Sequence, residues 1–96
     1  MYSIQYTSQY RKCRRLLIRR SYDMSKLDNT IMLLATGEPL PPHYRDHPLK
    51  GNFKGERECH VDGLFDWLLT YRIEKNRLIL ILTGTGTHSD LFEYSH

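Results

Sequence analysis

The run Leu78-Ile79-Leu80-Ile81-Leu82 limits what this chain can become more than any other feature. Five consecutive apolar residues are too few for a buried helix and leave no polar face. The run therefore reads as a strand covered on both sides, central in a sheet. The remaining elements must supply that cover. Tyr2 to Tyr6 alternates aromatic and polar residues as a short strand does, and Glu56 to Val61 suits a second strand. After the turn Asp62-Gly63-Leu64-Phe65, residues Asp66 to Ile73 form a third, and Glu74-Lys75-Asn76-Arg77 turns the chain into the apolar run.

Between the first two strands the period changes from 2 to 3.6. Ser8 is a candidate N-cap for a helix to about Arg20, with Tyr10, Cys13, Leu16 and Leu17 on one stripe and Arg11, Lys12, Arg14, Arg15 and Arg19 largely outside it. Ser25, with Asp28 three residues on, opens a second helix carrying Leu27, Ile31 and Leu34, and Gly37 with the prolines after it ends that helix. The two helices are expected to pair as a hairpin. Residues 37–54 read as a long ordered loop anchored by Tyr44, Leu49 and Phe53. Thr83-Gly84-Thr85-Gly86-Thr87 reads as a mobile or tightly turned stretch, and Ser89 caps a last helical turn through Leu91 and Phe92. The expected architecture is α+β: a four-stranded antiparallel sheet, two N-terminal helices packed on it and a short C-terminal helical turn, in one domain spanning 1–96.

At 96 residues the chain can bury one modest core. No apolar run approaches the roughly 20 residues that span a bilayer, and the first residues lack a signal-peptide pattern. No membrane association is expected, and a cytoplasmic location is the default. Cys13 and Cys59 form no close pair and read as reduced core thiols. The net charge of +3 conceals an asymmetry: residues 1–57 hold 11 Lys/Arg against 5 Asp/Glu, residues 58–96 hold 3 against 6. A basic N-terminal half can attract nucleic acid or an acidic protein, and a solvated helix face explains the run equally well.

The chemistry-bearing residues are His47, His60 and His88, with Asp66-Trp67 between the last two. Histidine exchanges protons near neutral pH, so three of them at strand edges of a small basic protein suggest phosphoryl chemistry on a polyanion. Each has a plainer reading: His47 a loop anchor, His60 a half-buried strand residue, His88 the cap of a short turn. His43 and His96 have weaker claims. Trp67 and Phe92 can stack on a base or close the core. Lys50, Lys54, Arg57, Arg72 and Arg77 can neutralise phosphates or remain solvated. No zinc-type ligand spacing is present, so neither metal nor cofactor is expected.

The strings Tyr44-Arg45-Asp46-His47-Pro48-Leu49, Gly51-Asn52-Phe53-Lys54-Gly55-Glu56-Arg57-Glu58-Cys59-His60-Val61, Asp66-Trp67-Leu68-Leu69 and Thr85-Gly86-Thr87-His88-Ser89-Asp90-Leu91-Phe92 occur in this order. Over Pro41 to Phe92 the chain thereby resembles the YafQ-like branch of the RelE/ParE superfamily of bacterial type II toxins. The resemblance implies a ribosome-dependent mRNA endonuclease held inactive by a cognate antitoxin, with operator DNA met only through that antitoxin. It implies catalytic roles for His47, His60, Asp66 and His88, with His88 the leading proton-transfer residue. Substrate contacts would come from Lys50, Lys54, Arg57, Trp67 and Phe92. The implied reaction is metal-independent attack of a ribose 2′-OH on the adjacent phosphate. Members of that family often carry an arginine four residues before the last histidine; here that place is Gly84, so Arg57, Arg72 or Arg77 would have to substitute. The alternative is a catalytically weak or degenerate toxin that acts mainly in antitoxin binding and operator co-repression. The connection from His60 to Asp66 is about two residues longer than the family pattern.

Overall fold

In the computed structural model, residues 1–93 are described; His96 lies outside them. The elements are β1 (Ser3–Tyr6), α1 (Ser8–Arg19), α2 (Met24–Ala35), β2 (His47–Pro48), β3 (Arg57–His60), β4 (Leu68–Glu74), β5 (Ile79–Gly86) and a single π-type turn, Ser89–Glu93. The sheet has five strands in the order β1-β5-β4-β3-β2. The α+β class and the two packed helices agree with the sequence reading, but the sheet is five-stranded and mixed. β1 runs parallel to β5, and the other pairings are antiparallel. The extra strand is only His47–Pro48, paired with Glu58 and Arg57. Proline forces its predecessor toward extended backbone and is tolerated on a sheet edge, so this pair of residues suits β2.

β5 also runs four residues further than the apolar run. Thr83 to Gly86, expected to turn or move, continue the ladder: Leu68 pairs with Gly86, Leu69 with Thr85 and Thr70 with Gly84, before a bulge between Thr70 and Tyr71. At the other end Leu78 lies in the turn with φ 53° and is exposed, so the strand begins at Ile79. The β4 strand likewise starts at Leu68, leaving Asp66 and Trp67 just before it.

The helix starts each sit one or two residues earlier than expected. Thr7, not Ser8, caps α1: its hydroxyl oxygen accepts from the Tyr10 amide at 3.1 Å, and its O–H donates to the Leu82 carbonyl at 3.0 Å. Asp23, not Ser25, caps α2, accepting from the Ser25 amide at 3.0 Å; a carboxylate also complements the positive end of the helix dipole. Ser21, at φ 64°, turns the chain between the helices, and Arg14 bridges them to Asp28 at 2.9 Å.

Both helices cover one face of the sheet. Tyr10 and Leu17 from α1 and Leu27, Ile31, Leu34 and Ala35 from α2 meet Cys59, Val61, Trp67, Leu69, Tyr71, Leu80 and Leu82. The odd-numbered residues of β3 therefore face the core, and the even-numbered Glu58 and His60 face away. Among the described residues, neither α1 nor α2 packs on the opposite sheet face. It is bordered instead by the loop around Phe53 and by the C-terminal turn.

Truncating a fully buried side chain on the helix-covered face should cost far more than truncating an exposed one. Leu69→Ala should lower unfolding free energy by about 2–5 kcal/mol, and Ile18→Ala on the outside of α1 should stay within about 0.5 kcal/mol. Urea denaturation of the two variants checks this.

Candidate functional site

The open sheet face gathers most of the chemistry-bearing residues. Asp66 precedes β4 and His88 follows β5. The pairing of Leu68 with Gly86, carried two residues beyond the strand ends, puts these two opposite each other. One Asp66 oxygen, Oδ1, accepts from the His88 backbone amide at 2.8 Å and from His88 Nδ1 at 2.7 Å. Those hydrogen bonds, the backbone one first, hold the Asp66 carboxyl below the usual carboxylate range. A carboxylate can only accept, so Nδ1 carries the hydrogen and Nε2 is left to face a ligand.

His60 ends β3 almost buried, with its ring centroid 6.3 Å from that of His88. Its Nδ1–H donates to the Leu64 carbonyl at 2.9 Å, which again leaves Nε2 for chemistry. The connection from His60 to Asp66 folds locally: Val61–Gly63 makes one tight turn, with Asp62 in the left-handed region, and the Asp62 amide donates to Thr30 Oγ1 on α2. The longer turn thus supplies the carbonyl that orients His60.

Among the described contacts, His47 meets neither His60 nor His88. Its Nδ1 lies 2.7 Å from the Arg45 carbonyl and its Nε2 3.2 Å from Glu58. Glu58 is buried on the same face of β3 as His60, two residues away. Both ring nitrogens of His47 are thus engaged, and its role in this arrangement is to pin β2 against Glu58. Sequence reasoning missed Glu58; its parity with His60 along a strand was the available signal.

Two expected substrate contacts, Trp67 and Arg57, need correction. Trp67 is 4% exposed, donates its indole N–H to Thr85 Oγ1 at 3.0 Å and stacks edge-on with Tyr22, so it belongs to the core and cannot receive a base. Arg57 points to the helix side, because odd positions of β3 do. It pairs with Asp46 at 3.1 Å beside the Tyr71 hydroxyl, which also bonds Asp46. Lys50 and Lys54 are exposed on the loop that carries Phe53. Phe92, by contrast, sits at the open face, 6.5 Å from His88 and edge-on to Phe53 at 5.1 Å between centroids. Phe65 closes another side of His88 at 6.2 Å.

The turn bearing His88 is fastened twice. The Asp90 carboxylate accepts from the Thr87 amide at 3.0 Å while the Asp90 amide donates to Thr87 Oγ1 at 3.1 Å. Arg20, at the end of α1, grips the same carboxylate at 2.8 and 3.3 Å. Partial burial raises the Asp90 pKa, but Arg20 and Thr87 outweigh it and bring the carboxyl below its usual range. Gly86 makes this turn possible: at φ 151° it would place a Cβ 2.7 Å from an Asp90 oxygen.

Cys59 faces the core beside His60 in sequence but on the other side of the sheet, and burial pushes its thiol pKa up, away from nucleophile behaviour. Among the described residues, no group of three or more His, Cys, Asp and Glu side chains is arranged to hold a metal ion. No described helix is long and apolar enough to cross a membrane.

The model of the family described as bacterial toxin of type II toxin–antitoxin system, YafQ, matches residues 2–93. The chain belongs to the YafQ family. The mRNA interferase toxin YafQ of Escherichia coli strain K12 is 42% identical over 90 residues, covering 93% of this chain and 94% of that protein. YafQ from E. coli strain BL21(DE3) shares the fold at a TM-score of 0.86 and 38% identity, over 96% of this chain and 99% of that one. YafQ in the E. coli DinJ–YafQ toxin–antitoxin complex does so at 0.83 and 41%, over 95% and 97%. This YafQ-family chain therefore keeps the family's backbone over nearly its full length.

The Asp66–His88 contact should outlast ordinary carboxylate titration. A group with a lowered folded pKa stabilises above its unfolded value, about 3.9 for Asp, and that stabilisation is lost as pH falls through the lower folded value. The His88 amide resonance, followed by NMR from pH 6 downward, should therefore titrate with a midpoint below about 3.9. A midpoint above that would contradict the double hydrogen bond.

Proposed function

We propose that this YafQ-family toxin cleaves mRNA on the ribosome by acid–base catalysis, with His88 and His60 as the two proton-transfer groups. The activity class is that of the relatives named mRNA interferase, an endoribonuclease. The observation that carries the reading is the pair of imidazoles 6.3 Å apart on an open face, each with Nδ1 tied back to an acceptor and Nε2 left for the ligand.

In this reading His60 Nε2 takes the proton from a ribose 2′-OH. The 2′-oxygen then forms a bond to the adjacent phosphorus, the bond from phosphorus to the 5′-oxygen breaks, and His88 Nε2 gives its proton to that leaving oxygen. The products are a 2′,3′-cyclic phosphate and a 5′-hydroxyl. Asp66 behind His88 compensates the charge of the doubly protonated ring and fixes its orientation. His47 and Glu58 are positioning residues, since they hold the edge beside His60 and touch each other rather than the cleft. In this reading the two imidazoles carry both proton transfers. Each proton-transfer group contributes roughly 10²–10⁴-fold, and alignment on the ribosome with cationic stabilisation of the phosphorane supplies the rest.

The partners follow from the same reading: the ribosome and its mRNA as target, a cognate antitoxin as inhibitor, operator DNA through that antitoxin, all in the cytoplasm. DinJ occupies the antitoxin role for E. coli YafQ. The basic outer side of α1, with Arg11, Lys12, Arg15 and Arg19 exposed, suits a polyanion or an acidic segment.

His88→Ala should lower the rate of ribosome-bound mRNA cleavage by about 10²–10⁴-fold and relieve growth arrest on induction. Asp66→Ala should lower the rate less, with cleavage positions unchanged. Equal cleavage by wild type and His88→Ala would end the acid–base assignment. A wild-type chain that does not cleave but still binds its antitoxin would establish the degenerate-toxin reading.

A further inference from the structure

A groove of about 390 Å³ lies between the start of α1 (Thr7, Gln9) and the residues Phe53, Glu56, Arg72, Thr83, Leu91 and Phe92. Its volume lies in the roughly 300–1,000 Å³ range of small-ligand sites. The mechanism above uses none of its polar groups. Phe92 links the two regions, since its ring lies 6.5 Å from His88 and 5.1 Å from Phe53. The two phenyl rings make an apolar wall of the kind on which unstacked bases rest.

The polar groups of the groove are fixed in advance. The Thr83 hydroxyl donates to Glu56 Oε1 at 2.5 Å, and it lies 3.0 Å from Thr70 Oγ1, whose hydroxyl donates to the Gly84 carbonyl. Thr83 reaches Glu56 because the β4–β5 register shifts between Thr70 and Tyr71. Among the described hydrogen bonds, the second Glu56 oxygen takes no donor. Arg72 is exposed on the groove and, among the described residues, forms no ion pair, whereas Arg57 is paired with Asp46 and Arg77 with Glu74. An aromatic wall, a positioned carboxylate and an unpaired guanidinium match the three parts of one nucleotide unit: base face, base edge and phosphate.

We propose that this groove is a nucleobase subsite next to the scissile phosphate, and that Glu56 makes it select a base bearing an exocyclic amino group over uracil. The proposal rests on the ribonuclease reading and adds the substrate's identity at one position. A carboxylate is acceptor-only, so it welcomes the amino group of cytosine, adenine or guanine. Uracil offers one N–H flanked by two carbonyl oxygens, which a carboxylate repels. Arg72 supplies the cation that Gly84, with no side chain, does not.

The test uses the His88→Ala chain, so that RNA is bound without being cut, and fluorescence anisotropy with labelled hexamers of cytidylate, adenylate and uridylate at low salt. The C and A hexamers should bind about tenfold more tightly than U, the order of one base-edge contact. Adding Glu56→Gln keeps the acceptor for Thr83 but presents an amide, and should bring the three hexamers within about twofold. Adding Arg72→Gln should weaken all three alike and reduce the salt dependence by about one phosphate contact. Equal binding of the three hexamers, a preference that survives Glu56→Gln, or no binding by any hexamer would overturn the subsite. Cleavage of ribosome-bound mRNA by the wild-type chain is measured alongside. If it equals that of His88→Ala, the nuclease reading fails, while the hexamer preferences decide the subsite independently. If the wild type cleaves, Glu56→Gln should redistribute its cut sites.

Discussion

Strand β5 is hydrogen-bonded along both edges and buried on both faces, and the rest of the molecule is arranged around that constraint. Leu80 and Leu82 meet the helices, Ile79 and Ile81 the opposite side, and β1 and β4 the two edges. The helices are referenced to the same strand, because the Thr7 that caps α1 also donates to the Leu82 carbonyl. The functional pair inherits its geometry from this strand too. With Leu68 opposite Gly86, the next same-face positions outward are Asp66 and His88, so the ladder delivers the carboxylate to the imidazole. A one-residue slip would turn every β4 side chain to the other face and separate the two.

How much of this was legible follows from which interactions are local. The apolar run, the helical stripes and the glycine–proline stop are properties of neighbouring residues, and Leu17, Leu27, Ile31 and Leu34 are buried as their spacing requires. The parallel partner of β1 lies more than 70 residues away, and the two-residue β2 has no periodicity to read. Thr83 to Gly86 carried loop-like composition because two glycines are needed there for close approach, not for mobility: a Cβ at Gly84 would lie 3.2 Å from Leu91. The same parity rule that keeps His60 on the open face sends Arg57 to the helix side. The motif strings located His60, Asp66, His88 and Phe92 together on the open face, yet they also carried Trp67, whose conspicuous position reflects its core packing against Tyr22 and Thr85.

Charge does different work at the two ends of the His88 turn. The Arg20–Asp90 pair is partly exposed, and such pairs contribute little to stability. Its consequence is geometric: it ties the C-terminus of α1 to a carboxylate that already caps Thr87, one residue before His88. An anionic partner that captured Arg20 would remove one of the fastenings of the turn that carries His88, so the basic helix and that turn are mechanically joined although they lie on different elements.

Gly84 connects these observations. The arginine that the family resemblance places there would begin with a Cβ 3.0 Å from Thr70 Oγ1 and 3.2 Å from Leu91, so Leu91 would have to give way. Leu91 lines the groove, and the turn that holds it also carries Phe92. The bare strand at position 84 and the folded-down turn are therefore one feature. A side chain added at Gly84 would push on Leu91 in the wall of the cleft, whereas Arg72, two residues along β4 from the Thr70 that pairs with Gly84, carries its charge without that conflict.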